Sequence, residues 1–261
     1  MFDTDAYLER LRYAGPRTAT PETLRQLHKL HLMTIPYDNT KFGSADGELP
    51  ANIADVDIDV TFDKIVRNGS GGICFELNPL FDRLLRELGF ETRIIAAGVR
   101  QEDGSFSPDL SHMFTGVSVG DGLWLADVGF SGPSYLDPLR LNSTVQHQYG
   151  CRYKVVEQAG WQTLYRRSRT GQWRAVYRFT PQGRRVEDWQ GLARRMREYT
   201  EGTVLANAVI RARSSSNGHR LLVGKRYLEV EDGHESMRAL VDPADFEKTL
   251  DTILSGTGDA P

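Results

Sequence analysis

The sequence predicts an α+β protein whose helices and strands are segregated along the chain. Three observations carry this. Over about the first ninety residues, apolar side chains recur at helical spacing. After Gly89 the period shortens to that of strands, rich in β-branched and aromatic residues. A mixed tail of strands and helices follows, with no βαβ alternation and no internal repeat.

Asp3 to Leu11 sets Ala6, Tyr7, Leu8 and Leu11 at helical spacing. Thr20-Pro21-Glu22 supplies an N-cap, a first-turn proline and a first-turn acid. The helix they open carries Leu24, Leu27, Leu30 and His31 on one side, and Pro36 stops it. A third helix is expected from Thr61 to Arg67. A fourth starts near Cys74, runs through Leu80, Phe81, Leu84, Leu85 and Leu88, and ends with Gly89 as its C-cap. Strands are expected over 92–99, 112–119, 123–128, 153–157, 164–167 and 173–179, with Asp121-Gly122 as a hairpin turn. Glu187 to Tyr199 reads as a helix. Val204–Arg211, Arg220–Val223 and Arg226–Val230 read as strands, with Asn217-Gly218 and Asp232-Gly233 as turns. Asp242-Pro243 starts a closing helix over Phe246–Leu254.

The 261 residues suffice for one large domain or a few small ones. Hydrophobic residues at 39% and charged residues at 26% are ordinary for a globular protein. A net charge of −3 argues against nucleic acid as the main partner. No apolar run approaches the ~20 residues of a membrane helix, and the acidic start, Asp3 and Asp5, does not read as a signal peptide. The expected compartment is the cytoplasm. Cys74 and Cys151 are the two cysteines, too few for a four-thiolate zinc site, and no disulfide is expected.

Chemistry concentrates in Gly71-Gly72-Ile73-Cys74-Phe75-Glu76-Leu77-Asn78. Paired glycines permit a sharp turn and close approach of a substrate. The positive end of a helix favours the thiolate of a cysteine placed there. Taken alone, Cys74 would more often be a small buried hydrophobe. His112, at the start of a strand, and Asp127, an acid within the apolar run Trp124–Phe130, change that balance. A buried Asp needs a partner, and a hairpin between the two strands would supply the imidazole. Nucleophile, base and orienter then follow the general triad of cysteine proteases and their kin.

These segments resemble the arylamine N-acetyltransferase family. Its signature is Arg-Gly-Gly-x-Cys-x-Glu-x-Asn, a Thr-His-x segment and Val-Asp-Val-Gly-Phe-Gly, matched here at Ser70–Asn78, Ser111–Met113 and Ala126–Ser131. Ile35-Pro36-Tyr37-Asp38-Asn39 resembles the family's Ile-Pro-Phe-Glu-Asn. The likeness covers about residues 5 to 185. It implies an N-terminal helical bundle bearing the cysteine (1–90), a central antiparallel β-barrel bearing His and Asp (91–185) and a C-terminal α/β lid (186–261). It also implies Cys74, His112 and Asp127 as catalytic residues, and Tyr37, Ile73, Phe75, Phe130 and Ser131 as substrate-binding residues. Ser70, Asp38 and Met113 depart from the family's Arg, Glu and Asn. The stretch Gly129–Leu139 and the tail Gly224–Gly233 look more like the amide synthases that release ansamycin polyketides as macrolactams.

The resemblance implies ping-pong acyl transfer with no bound cofactor and no metal. The donor is an acyl thioester, on coenzyme A or on the phosphopantetheine of an acyl carrier protein, and the acceptor is an aromatic amine. The leading reading is an amide synthase. An acetyl-coenzyme A-dependent arylamine N-acetyltransferase is the alternative. A thiol hydrolase or transglutaminase-like enzyme using the same triad, and a catalytically dead binding module, are the remaining readings.

Among other features, Asp55, Asp57 and Asp59 read as a solvated edge rather than a cation site. Arg184, Arg185, Arg194, Arg195 and Arg197 form a local basic patch, either a solvated face or a site for a phosphate or an acidic carrier. His28 and His31 read as packing or surface histidines, and Cys151 as structural.

Overall fold

A computed structural model of the chain describes residues 1–41, 52–200 and 208–256. The helices α1 (Thr4–Arg10), α2 (Pro21–Thr34), α3 (Ile58–Phe62) and α4 (Cys74–Glu87) form the first part. The expected caps hold. Thr20 accepts from the Thr23 N–H with Pro21 in the first turn, and Gly89 leaves α4 at φ +83°. Leu77, Leu80, Phe81, Leu84 and Leu85 of α4 pack against Leu24 and Leu27 of α2 and Tyr7 of α1.

The helix expected over 61–67 is instead α3 followed by one π-helical turn, Asp63–Arg67. The aspartates ahead of it form no strand edge. Asp57 caps α3, accepting from the Asp59 and Val60 N–H groups, and Asp59 accepts from the Phe2 N–H. Of the three alternating acids, Asp57 thus serves a helix start, where its carboxylate suits the unpaired N–H groups.

Eight strands make one antiparallel sheet. They are β2 (Glu91–Val99), β3 (His112–Val119), β4 (Gly122–Ala126), β5 (Leu139–Arg140), β6 (Gln146–Gln148), β7 (Cys151–Gln158), β8 (Trp161–Arg167) and β9 (Arg174–Phe179). Their order is β5-β4-β3-β2-β9-β8-β7-β6. The β3–β4 turn is Gly120-Asp121, one residue earlier than the sequence suggests, because Val119 pairs with Gly122 and Gly120 takes φ +63°.

The two edges, β5 and β6, nearly meet, and side chains stitch the seam. Gln146 accepts from the Arg140 N–H at 2.9 Å and donates to its carbonyl at 2.8 Å. Gln148 accepts from the N–H groups of Leu136 and Asp137 and donates to the Asp137 carbonyl. These amides replace the main-chain ladder that would finish a barrel and leave no bare edge there. Inside sit Ile95, Phe114, Leu125, Tyr135, Tyr153, Tyr177 and Phe179.

A second sheet follows the order β1-β10-β11-β12-β13. It contains β10 (Ile210–Ser214), β11 (Gly218–Val223), β12 (Arg226–Glu231) and β13 (His234–Ala239), with β1 (Tyr37–Asp38) from the first part as its edge. The early portion of the strand expected over 204–211 lies outside the described residues. The helix expected over 187–199 is split into a 3-10 turn, Val186–Trp189, and α5 (Leu192–Thr200), where Gly191 adopts φ +74°. The closing helix α6 (Pro243–Ser255) is capped by Asp242 and packs Ile253, Phe246 and Leu250 against Leu222, Tyr227 and Leu240. Among the described residues no helix is long and apolar enough to cross a membrane.

The seam gives a direct test. Replacing Gln146 and Gln148 together by Leu removes five hydrogen bonds to backbone. It should cost about 2 kcal/mol or more, read as a lowered midpoint in urea unfolding. An unchanged midpoint would show that the seam holds without them.

Candidate active site

Cys74 is the first helical residue of α4, and its setting is built from backbone. The Tyr37–Asp38 segment runs parallel to Gly71-Gly72, with Asp38 N–H donating to the Gly72 carbonyl at 3.0 Å and Gly72 N–H to the Pro36 carbonyl at 3.3 Å. A Cβ on Gly71 would stand 2.7 Å from the Pro36 oxygen and 2.8 Å from Asp38 Cβ, so this approach needs glycine. Glu76 accepts from the Ile73 N–H at 3.1 Å and pairs with Lys64, which fixes the start of the helix. From the other side comes the chain after β4. A Cβ on Gly129 would lie 2.7 Å from Cys74 Cα, so any larger residue there would push the loop off the cysteine.

His112 opens β3 and is buried. Its Nε2 meets Asp127 Oδ2 at 2.8 Å. That leaves Nδ1 for the Cys74 thiol, with which His112 shares a hydrogen bond. Rings of Phe130 and Tyr177 stand 5.4 and 5.6 Å from the imidazole and exclude water. Burial by itself lowers the His112 pKa. The charge and hydrogen bond of Asp127, with Cys74 behind them, outweigh it and push the pKa up to about 10. The ring therefore favours its protonated form at neutral pH, with Nδ1 the nitrogen left for the sulfur.

Asp127 has no exposed surface. Its Oδ1 accepts from Asn78 Nδ2 at 3.2 Å and from the Gly129 N–H at 3.1 Å. Asn78 also accepts from the Val128 N–H and donates to the Met113 carbonyl. One side chain of α4 thus ties the loops of His112 and Asp127 to the helix of Cys74.

His28 and His31 are fully buried, not on the surface. The Leu136 carbonyl can only accept, so His28 carries its proton on Nδ1, 2.8 Å away. Its Nε2 is then free to accept the Asp127 N–H at 3.0 Å. Burial lowers the pKa of His28, so this neutral form persists. His31 bonds Tyr7 through Nδ1 at 3.0 Å, and burial, aided by His28, lowers its pKa to about 3. Asn78 lies in the cysteine motif one turn beyond Cys74, a signal available in the sequence. His28 has no local signal, since its role depends on a contact across the fold.

The remaining residues divide. Tyr37 bonds Ser131, and burial raises its pKa. Tyr37 and Phe130 both line a small cavity beside Asp127. Ile73 and Phe75 are buried instead in an apolar cluster with Cys74, Ala96, Met113, Trp189 and Leu192. Cys151 is buried beside Arg166, whose Nη2 is 3.3 Å from its sulfur.

A family model described as N-acetyltransferase matches residues 20–255. Proansamycin X synthase of Amycolatopsis mediterranei is 36% identical over 98% of both chains. Arylamine N-acetyltransferase of Mycobacterium tuberculosis is 30% identical over 98% of this chain and 89% of its own. The solved M. tuberculosis arylamine N-acetyltransferase superposes with a TM-score of 0.81 at 29% identity, covering 95% of this chain and 92% of the other. The Mycobacterium marinum enzyme in complex with CoA gives 0.81 at 26% identity, covering 95% and 91%.

The His112–Asp127 pair sets a pH dependence. Because the folded pKa of His112 is raised, its contribution to stability is full below the unfolded value of about 6.5. It is lost as pH rises toward about 10. Urea unfolding between pH 6 and 10 should show wild-type stability falling across this window, with a clearly shallower fall in Asp127→Asn. Equal slopes in the two proteins would contradict the pairing.

Proposed function

The chain belongs to the arylamine N-acetyltransferase family, and on that footing we propose that it is a cysteine-dependent N-acyltransferase of the amide synthase kind. It takes an acyl group from a thioester onto Cys74 and passes it to an aromatic amine carried by the same acyl chain, closing a macrolactam. One observation carries the acyl-transfer chemistry: the His112 imidazole bridges Asp127 and Cys74, and all three are buried.

Cys74 Sγ attacks the thioester carbonyl and forms a new thioester. The departing thiolate takes the Nδ1 proton of His112 and leaves as a thiol. The amine nitrogen then attacks the acyl-Cys74 carbonyl. His112, now neutral, receives a proton from that nitrogen as the amide forms and Cys74 Sγ departs. Asp127 keeps the imidazole oriented and favours its cationic form in both half-reactions. Asn78 and His28 position Asp127.

The match to proansamycin X synthase, 36% identical over nearly the full length of both chains, supports the amide synthase over the acetyltransferase. So does Met113, which places an apolar side chain in the cluster with Cys74 where the family's pattern has Asn. An intramolecular amine needs no second binding site and gains from effective molarity. The second reading, acetyl-coenzyme A-dependent arylamine N-acetyltransferase, draws on the match to the M. marinum CoA complex.

Cys74→Ala should abolish amide formation while leaving the unfolding midpoint near that of the wild type. Full activity in that variant would remove the mechanism. The subtype is tested by offering two donors. A short thioester of a seco amino-polyketide should cyclise, and acetyl-coenzyme A with an aniline should turn over poorly. Turnover of acetyl-coenzyme A and aniline at about 1 per second, with no cyclisation, would favour the acetyltransferase.

A further inference from the structure

The two sheets end in β5, β6, β1 and β13, and the first three of these edges are covered. β5 and β6 are closed on each other by Gln146 and Gln148. β1 is two residues long and has Gly72 along its outer side. β13 is different. All six of its residues are exposed, and Met237 keeps 70% of its surface in solvent. A bare edge is ordinarily blunted by a proline, a lysine or a bulge. The run His234-Glu235-Ser236-Met237-Arg238-Ala239 has neither residue type, and it pairs with β12 without a bulge.

The hairpin decides which main-chain groups point away from it. Leu240 N–H donates inward, to the Lys225 carbonyl at 2.8 Å. Direction alternates along a strand, so Arg238, Ser236 and His234 also face β12. Ala239, Met237 and Glu235 therefore turn their N–H and C=O groups outward. Gly233 is next in that series, and its carbonyl is already taken by the Arg169 N–H at 2.9 Å. The free edge thus runs from Glu235 to Ala239. Among the described residues no main-chain hydrogen bond reaches its outer side.

This segment complements itself. Two copies of one strand pair antiparallel about a two-fold axis, and the position of the axis decides what meets. An axis at Glu235 or at Arg238 sets like charges opposite each other, which is destabilising. An axis at Ser236 sets Arg238 against His234 and drives Ala239 onto Gly233, where Arg169 already bonds. An axis at Met237 uses the whole free span. Glu235 then faces the partner's Ala239, Ser236 faces the partner's Arg238, and Met237 faces the partner's Met237. The charges agree with this register. Glu229 lies beside Ser236 on β12, so the partner's Arg238 meets it across one small side chain. Arg226 lies beside Ala239 and meets the partner's Glu235 in the same way. Arg226 is exposed, with no ion pair among the described residues. Both separations are two strand spacings, about 10 Å, within the joint span of an arginine and a glutamate.

We infer that β13 is a self-association surface: it pairs antiparallel with β13 of a second copy of this chain, with Met237 on the two-fold axis. The pairing joins two five-stranded sheets into one. It satisfies the outward groups of Glu235, Met237 and Ala239 in both copies and buries the exposed Met237 side chains against each other.

Sedimentation equilibrium of the full chain tests this. The paired area is small, so a dissociation constant on the order of 10 μM is expected, with the dimer appearing between about 1 and 100 μM. Met237→Pro removes an outward N–H and leaves the hairpin's own bonds in place. It should weaken the dimer by about tenfold or more at an unchanged urea midpoint. If that midpoint falls, Met237→Lys takes its place, because it sets two like charges on the axis. Oxidative cross-linking reads the register. Met237→Cys should give a disulfide-linked dimer, since facing residues of a bonded pair lie about 5.5 Å apart at Cα. Glu235→Cys should not, since its two copies lie about 14 Å apart along the strands. A chain that stays monomeric up to about 100 μM would overturn the inference and leave the edge to solvent or to another protein. A dimer that neither substitution at Met237 weakens would overturn it as well, by placing the contact elsewhere. So would cross-linking through Glu235→Cys in place of Met237→Cys.

Discussion

A carboxylate with no solvent exposure governs this structure. Asp127 sits at the end of β4 with no exposed surface, where an unpaired charge would cost several kcal/mol. The fold answers with one partner for each part of it. His112 takes Oδ2, Asn78 and the Gly129 N–H take Oδ1, and His28 takes the main-chain N–H. Those partners come from β3, α4, the loop after β4, and α2. Satisfying this one group therefore fixes how the helical part docks on the sheet. Cys74 is placed as a consequence, because Asn78 and Cys74 share one helix turn.

The same arrangement determines the electrostatics. Three buried histidines diverge according to what faces them. His112 meets a carboxylate and holds its proton to about pH 10. His28 faces a carbonyl oxygen and an N–H, a pairing that only the neutral ring can satisfy. His31 meets a tyrosine hydroxyl and has no other hydrogen bond among the described residues, so burial, with His28 beside it, lowers its pKa to about 3. One residue type thus serves as a cation and as an uncharged strut within a single core.

Much of this was legible in the sequence, for local reasons. Thr20-Pro21 and Asp242-Pro243 announce helix starts because capping is settled within a few residues. The change of period at Gly89 marks the passage from helices to the barrel sheet. The meeting of Cys74, His112 and Asp127 could be expected because a buried acid demands a partner and a hairpin offered one. What stayed hidden depends on contacts distant in sequence. The seam uses glutamine side chains where a reader looks for strand residues. His28 acts through a main-chain group 99 positions away. The early start of α3 comes from the Asp57 cap, and the break ahead of α5 from left-handed Gly191, both of which compete with an otherwise continuous pattern. β13 escaped because all six of its residues are exposed and it has no apolar alternation.

Everything proposed for this protein rests on the acyl group residing on Cys74 Sγ, and intact mass after brief exposure to a seco amino-polyketide thioester tests it most directly. The protein should gain the mass of the acyl group at Cys74, mapped by peptide digestion, and lose it with no amine added as the macrolactam appears. Macrolactam formation with no adduct on Cys74 at any time, even with the chain's amine blocked to prevent discharge, would contradict it.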